Sequence, residues 1–270
     1  MTKLLNLVDE NLVFDSHAHL LDKRISMNPH VLDGVGGVIC FYDPLGDDVN
    51  SFNEILKNSK VIGAAGIHPH YASDFHRLKN ELLMSLELKK VMVLGEIGLD
   101  YYRDNSPRKQ QRRAFIEQLK LAEKLKLPVA VHTREAFRDT MDILNEYAAT
   151  RVLIHCFSEG PKEALEAVKQ GCFVAFGGTL TYPGSKDLRM AAEEVPYEKL
   201  LVETDSPYLA PQPVRGRTNI PWNVRYTIET LSYIKKTTPE KIARETFKAT
   251  LNFLGLEKHP NEKTMEERND

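Results

Sequence analysis

Short apolar runs alternate along this chain with longer stretches of helical periodicity. The runs are Leu12–Phe14, Val35–Tyr42, Val61–Ile67, Val91–Leu94, Pro128–Val131, Val152–Ile154, Cys172–Phe176 and Leu200–Val202. Between them, the 106–126 stretch carries Phe115, Leu119, Ala122 and Leu125 on one helical face, with Pro107 suited to a first turn. Pro161 opens a second helix, which Gly171 closes, and Thr238-Pro239-Glu240 opens a last one reaching about Leu254. Eight strand candidates spaced by roughly 20 to 35 residues, mostly with a helix between, predict an α/β fold of the (β/α)8 TIM-barrel type. A doubly wound open sheet is the rival.

The polar residues decide between the two. Seven of the eight runs end in polar, potentially reactive groups; the seventh in chain order ends in glycines. Barrel sites lie at the carboxyl ends of the strands, so these groups would meet at one mouth, whereas an open sheet gathers ligands from a few strands only. His17 and His19, two residues apart, point the same way if they lie on a strand. The convergent set is then His17, His19, Glu96, His132, His155 and Asp205. Imidazoles and carboxylates in this mixture suit zinc, manganese, iron, cobalt or, less comfortably, magnesium. Six side chains exceed what one tetrahedral ion needs, so two divalent ions sharing Glu96 are the economical arrangement. Such a pair can activate water and neutralise a developing oxyanion.

The formal net charge of −2 argues against a broad cationic surface for duplex nucleic acid but leaves room for a short strand or end. Three widely spaced cysteines, Cys40, Cys156 and Cys172, argue against a disulfide framework. The opening Met1–Asn6 lacks a signal peptide's apolar core, and no run is long enough to span a membrane. A cytoplasmic protein without membrane association follows, and no obligate protein partner is evident. Residues 1–256 are expected to form one domain, and the charged tail 257–270 to be frayed or disordered.

The motifs Asp15-Ser16-His17-Ala18-His19-Leu20, Gly66-Ile67-His68-Pro69-His70, Gly95-Glu96-Ile97-Gly98-Leu99-Asp100, Pro128–Arg134, His155-Cys156-Phe157-Ser158 and Glu203-Thr204-Asp205-Ser206-Pro207 recur together here. In them the chain resembles the TatD-type metal-dependent deoxyribonucleases of the amidohydrolase-like barrels, from about Phe14 to Leu256. The resemblance implies one ion among His17, His19, Glu96 and Asp205, and another among Glu96, His132 and His155. It implies phosphodiester hydrolysis of DNA, single-stranded or at frayed ends, with Asp205 as general base and Glu96 as the second catalytic residue. Hydrolysis of an amide, lactone or ester, including deacylation of an aminoacyl nucleotide, is the alternative. A catalytically dead binding barrel is a third.

For substrate binding the candidates are His68, Tyr102, Arg134 and Arg215. His68 faces the substrate by analogy. Tyr101 or Tyr102 either stacks on bases or packs under its loop, and Arg103 can pair with phosphate. Arg134 lies two residues past His132, and Arg215 and Arg217 belong to a loop expected to rim the mouth. Asp100 either orients a ligand or caps its loop. Glu203 is expected to line the site beneath Asp205 or to hold a histidine, Cys156 to point into the core, and Trp222 to pack behind the eighth strand. The chain departs from the family pattern at Asp22, at Cys40–Asp43, at Glu159, at Thr218 and Ile220, and in the closing helix near Lys248.

Overall fold

In the computed structural model, which describes residues 13–256, the first apolar run forms strand β1 (Val13–Ala18) and opens a parallel eight-stranded sheet. The strands follow in sequence order: β2 (Val35–Tyr42), β3 (Val61–Ala65), β4 (Val91–Asp100), β5 (Val129–Arg134), β6 (Val152–Ile154), β7 (Phe173–Phe176) and β8 (Leu200–Val202). The connecting helices are α1 (Lys23–Ser26), α2 (Val49–Ile55), α3 (Phe75–Leu86), α4 (Arg108–Leu125), α5 (Phe137–Tyr147), α6 (Pro161–Lys169), α7 (Lys186–Glu194) and α8 (Val224–Ile234), with α9 (Pro239–Leu254) after them. This is a TIM barrel. The proposed tail, 257–270, lies outside the described residues, as does Leu12.

The barrel closes between β1 and the segment just past β8. The Asp205 amide donates to His17 O at 2.9 Å, the His19 amide to Ser206 O at 2.7 Å, and Ser16 Oγ to Val202 O at 2.9 Å. The closing seam therefore runs through residues that the sequence singles out as metal ligands.

Inward-facing apolar residues fill the lumen: Phe14, Ile39, Ile62, Val93, Leu153, Phe173 and Leu201 form one cluster with Ala249, Phe253 and Leu254 of α9. The amphipathic helix α9 thus packs onto the lumen's contents, Phe253 meeting Phe173 edge-on at 5.7 Å between centroids. Two further clusters bury the outer faces of the strands under the helices. Thr238 caps α9 through its side chain, and Gly255 ends it in the left-handed conformation.

Three strands run further than their apolar patterns predict, β1 among them, which continues past Phe14 through His17 to Ala18. β4 continues through Glu96 to Asp100, and β5 through His132 to Arg134. The ladders shift register between Asp15 and Ala18 on β1 and between Leu94 and Ile97 on β4. Such irregularities re-aim side chains, and these two flank His17 and Glu96.

Candidate metal centre

At the carboxyl ends of the strands lies a cavity of about 670 Å³. Glu96 stands at its floor, 8% exposed. Its Oε1 lies 2.7 Å from His132 Nδ1, 2.7 Å from His155 Nε2 and 3.3 Å from His68 Nε2, and its Oε2 lies 3.5 Å from His17 Nε2. Four strand ends thus aim imidazole nitrogens at the one carboxylate carried by β4. Asp205 completes the opposite side, with Oδ1 3.4 Å from His19 Nε2 and 3.8 Å from His17 Nε2. All six residues expected as ligands therefore meet. His68, expected to bind substrate, joins them: its donor atom groups with those of Glu96 and His132, as His17 and His19 group with Glu96.

Burial alone would raise the Glu96 carboxyl, but the charges of His155 and His68 and hydrogen bonds from His132 and His155 hold it well below the usual range. Burial lowers His17 well below an ordinary histidine, with His155 adding to the effect. His155 moves the other way: burial opposes its charge, yet Glu96 and Glu203 raise it well above the normal value. Burial carries His68 down to about 4, against the pull of Glu96.

The family is decided by the whole length of the chain. The sequence model of the TatD related DNases matches residues 14–255. The chain belongs to the TatD-related DNase family. Among its relatives, the "uncharacterized metal-dependent hydrolase YabD" of Bacillus subtilis is 34% identical over 249 residues, covering 87% of this chain and 96% of the relative. The solved structure of the TatD homologue YJJV from Escherichia coli superposes with a TM-score of 0.82 at 25% identity, covering 92% of this chain and 100% of that one. The human "3'-5' RNA nuclease TATDN2" is 36% identical over 170 residues, 60% of this chain and 22% of that protein.

The donor set of this TatD-family chain fits divalent metal. His17 Nε2 and His19 Nε2 face each other at 3.3 Å, and His17 Nδ1 is buried without a hydrogen-bond partner. Imidazoles packed this closely cannot all be protonated, whereas a cation among them uses their lone pairs and balances the carboxylates. A hydrogen-bonded outer layer holds the donors. His132 Nε2 and His70 Nε2 lie 3.2 and 2.8 Å from Asp100 Oδ2, and Asp100 Oδ1 accepts from the amides of Tyr102 and Arg103. Asp100 thus performs both expected roles, orienting a donor and capping a loop. Phe41 stacks on His17 at 3.7 Å, and His17 on His155 at 4.0 Å. At the end of β2, Phe41 therefore sets an aromatic ring against His17, a candidate ligand.

Several expectations need correction. Cys156 does not point into the core; it lines the cavity. β6 ends at Ile154 and Cys156 has φ 45°, so strand alternation does not apply. Likewise β8 ends at Val202, and Asp205 sits at φ 55°. Glu203 is fully buried; its Oε1 accepts from the Cys156 amide at 2.8 Å and lies 3.4 Å from His155 Nδ1. Of the substrate candidates, His68 and Arg134 line the cavity, with Arg103 beside them, but Tyr102 and Arg215 do not. Tyr102 is exposed under the Arg134 guanidinium, 3.9 Å from ring centre to Cζ, and Arg215 lies over Tyr182 at 3.8 Å. Tyr101 packs below its loop, donating to Asp139 at 2.7 Å. The basic residues of α4 are largely paired: Arg108 with Asp104, Arg112 with Asp139 and Arg113 with Glu117. Trp222 packs behind the barrel, its ring against Gly34.

Sequence reasoning passed over two buried glutamines of α4. Gln118 accepts from the Ile67 amide at 2.7 Å and donates to Ile67 O at 3.0 Å, next to His68. Gln111 brackets Asp100 in the same way, accepting from its amide at 2.9 Å and donating to its carbonyl at 3.1 Å. The available signal was a pair of glutamines seven apart on the apolar face of a predicted helix.

Proposed function

We propose that this protein is a metal-dependent nuclease that hydrolyses phosphodiester bonds at single-stranded or frayed ends. The observation that carries the reading is the strand-end cluster centred on Glu96, in a chain of the TatD-related DNase family. His17, His19, Glu96 and Asp205 would hold one divalent ion, and Glu96, His132 and His155 a second, with His68 at the edge of that group. Bound there, the ions supply a water of lowered pKa and positive charge for the developing oxyanion.

The chain's own residues do the rest. Asp205, with 15% of its side chain exposed at the cavity floor, accepts the proton of the attacking water. Glu96 keeps its negative charge because the surrounding imidazoles outweigh its burial. Arg103 and Arg134, on the β4–β5 side of the mouth, receive the phosphate chain. Tyr102, held beneath Arg134, offers an exposed ring outside the cavity for a base. DNA is the proposed substrate, and the RNA nuclease relative makes RNA the competitor to be tested.

The test is turnover of 3′- and 5′-labelled single strands, DNA beside RNA, by protein reconstituted with zinc, manganese, cobalt or magnesium. Nucleotide release that is lost in Glu96→Ala and Asp205→Ala is the expected result. No release with any of these metals, beside turnover of an amide or ester panel, contradicts it.

A further inference from the structure

The loop from Arg215 to Pro221 follows β8, and its place in the sequence suggests a substrate-gripping element, although none of its residues lines the cavity. Its most buried member does something else. Asn219 is 0% exposed, although Arg215, Gly216, Arg217 and Thr218 before it are all exposed. Its Nδ2 donates to Thr204 O at 2.9 Å and to Tyr208 O at 2.8 Å, and its backbone amide donates to Pro207 O at 3.2 Å. Its Oδ1 accepts from Asn223 Nδ2 at 2.9 Å. Both amide protons and the carbonyl are therefore engaged, which fixes the orientation of the side chain.

These bonds bracket the segment that carries Asp205. Asp205 has φ 55°, and Leu209 follows at φ 49°, a left-handed conformation that side-chain-bearing residues seldom adopt. The short strand β8 has ended by Val202, and past it the sheet reaches this backbone only at the closing seam, where the Asp205 amide donates to His17 O and Ser206 O accepts from the His19 amide. From the other side, Asp15 Oδ1 accepts from the amides of Thr204 and His17 at 2.9 and 3.2 Å. One buried chain of hydrogen bonds thus runs from the strand bearing His17, through Thr204, to Asn219 and Asn223.

We propose that Asn219 is a positioning residue for Asp205, acting on the metal centre through the backbone of residues 204–208 and touching neither ion nor substrate. The inference rests on Asp205 being a metal ligand; it does not depend on which bond the enzyme cleaves. Outer groups that orient ligands typically carry ~10–100-fold in metal affinity or activity. An Asn219→Ala protein leaves the Thr204 and Tyr208 carbonyls without their donor and lets the Asp205 turn relax.

The test is calorimetric titration of metal-stripped full-length protein with manganese, for wild type, Asn219→Ala, Asn219→Ser and Thr218→Ala, with melting curves of the metal-free forms. Asn219→Ala is expected to bind the ion on the Asp205 side roughly tenfold or more weakly while still folded. Asn219→Ser, which keeps one donor, should fall between it and wild type, and Thr218→Ala should bind as wild type does. With an active substrate, kcat falls and KM holds. Unchanged manganese affinity in both folded Asn219 variants overturns the proposal, as does a rise in KM alone, which would make the loop a substrate contact. Should Asn219→Ala not fold, the Asn219→Ser titration decides. Because manganese binding needs no substrate, a failed nuclease assay leaves this test intact.

Discussion

The two ends of the barrel are built on opposite principles. At the α9 end, Phe14, Phe173 and Phe253 are buried among aliphatic side chains, and each apolar group placed there stabilises the fold directly. At the other end, His17, Glu96, His155 and Glu203 are as deeply buried, yet each loses hydration that only hydrogen bonds, opposite charge or a bound cation restore. Burial thus stabilises the first end and poises the second. The apolar end makes the scaffold rigid enough to hold converging polar groups in positions that they would not adopt unaided.

The contrast is most exposed at Glu96. Glu96→Ala should abolish metal binding at both donor groups and lower turnover by at least ~10²-fold, the scale for losing a preorganised electrostatic group. Metal content and turnover of the same preparation check this, and retained stoichiometric metal would break the contrast. Phe253→Ala, at the far end, should instead cost about 3–5 kcal/mol of stability while leaving metal affinity unchanged in the folded protein. Denaturant melts and manganese titration below the melting range separate the two effects.

A smaller test lies on the cavity wall. Burial raises Asp43 from 3.8 to about 6, aided by Asp47. Between those values the unfolded chain releases its proton before the folded one does, so the ionised form costs stability as pH rises through that window. In metal-free protein Asp43→Asn should therefore add less than ~1 kcal/mol of stability near pH 8 and none near pH 3, read from melting curves, because Asp43 is partly solvated. An equal gain at both pH values would count against it.

The apolar periodicity is enough to place all eight strands, because lumen and outer packing impose a burial pattern that single residues report, and the polar residues at the strands' carboxyl ends select the barrel. The donor histidines were legible for a related reason: His17, His132 and His155 interrupt or end apolar runs, where a polar residue must have company. What escaped was governed by backbone conformation and long-range hydrogen bonding. Strand alternation placed Cys156 wrongly because the chain turns left-handed there. Gln111, Gln118 and Asn219 look like ordinary polar residues until the carbonyls that they satisfy are known. Tyr102 and Arg215 were placed at the mouth by proximity in sequence, which does not specify on which side of a loop a long side chain comes to rest.

In the proposed arrangement the strand ends at this mouth would hold two ions bridged by Glu96. Anomalous diffraction from crystals of the protein reconstituted with manganese tests it directly. Two peaks inside the mouth, both bonded to Glu96, with Asp205 on one and His132 and His155 on the other, are the predicted result. No peak among these side chains, or a single peak that leaves His132 and His155 without metal, would contradict it.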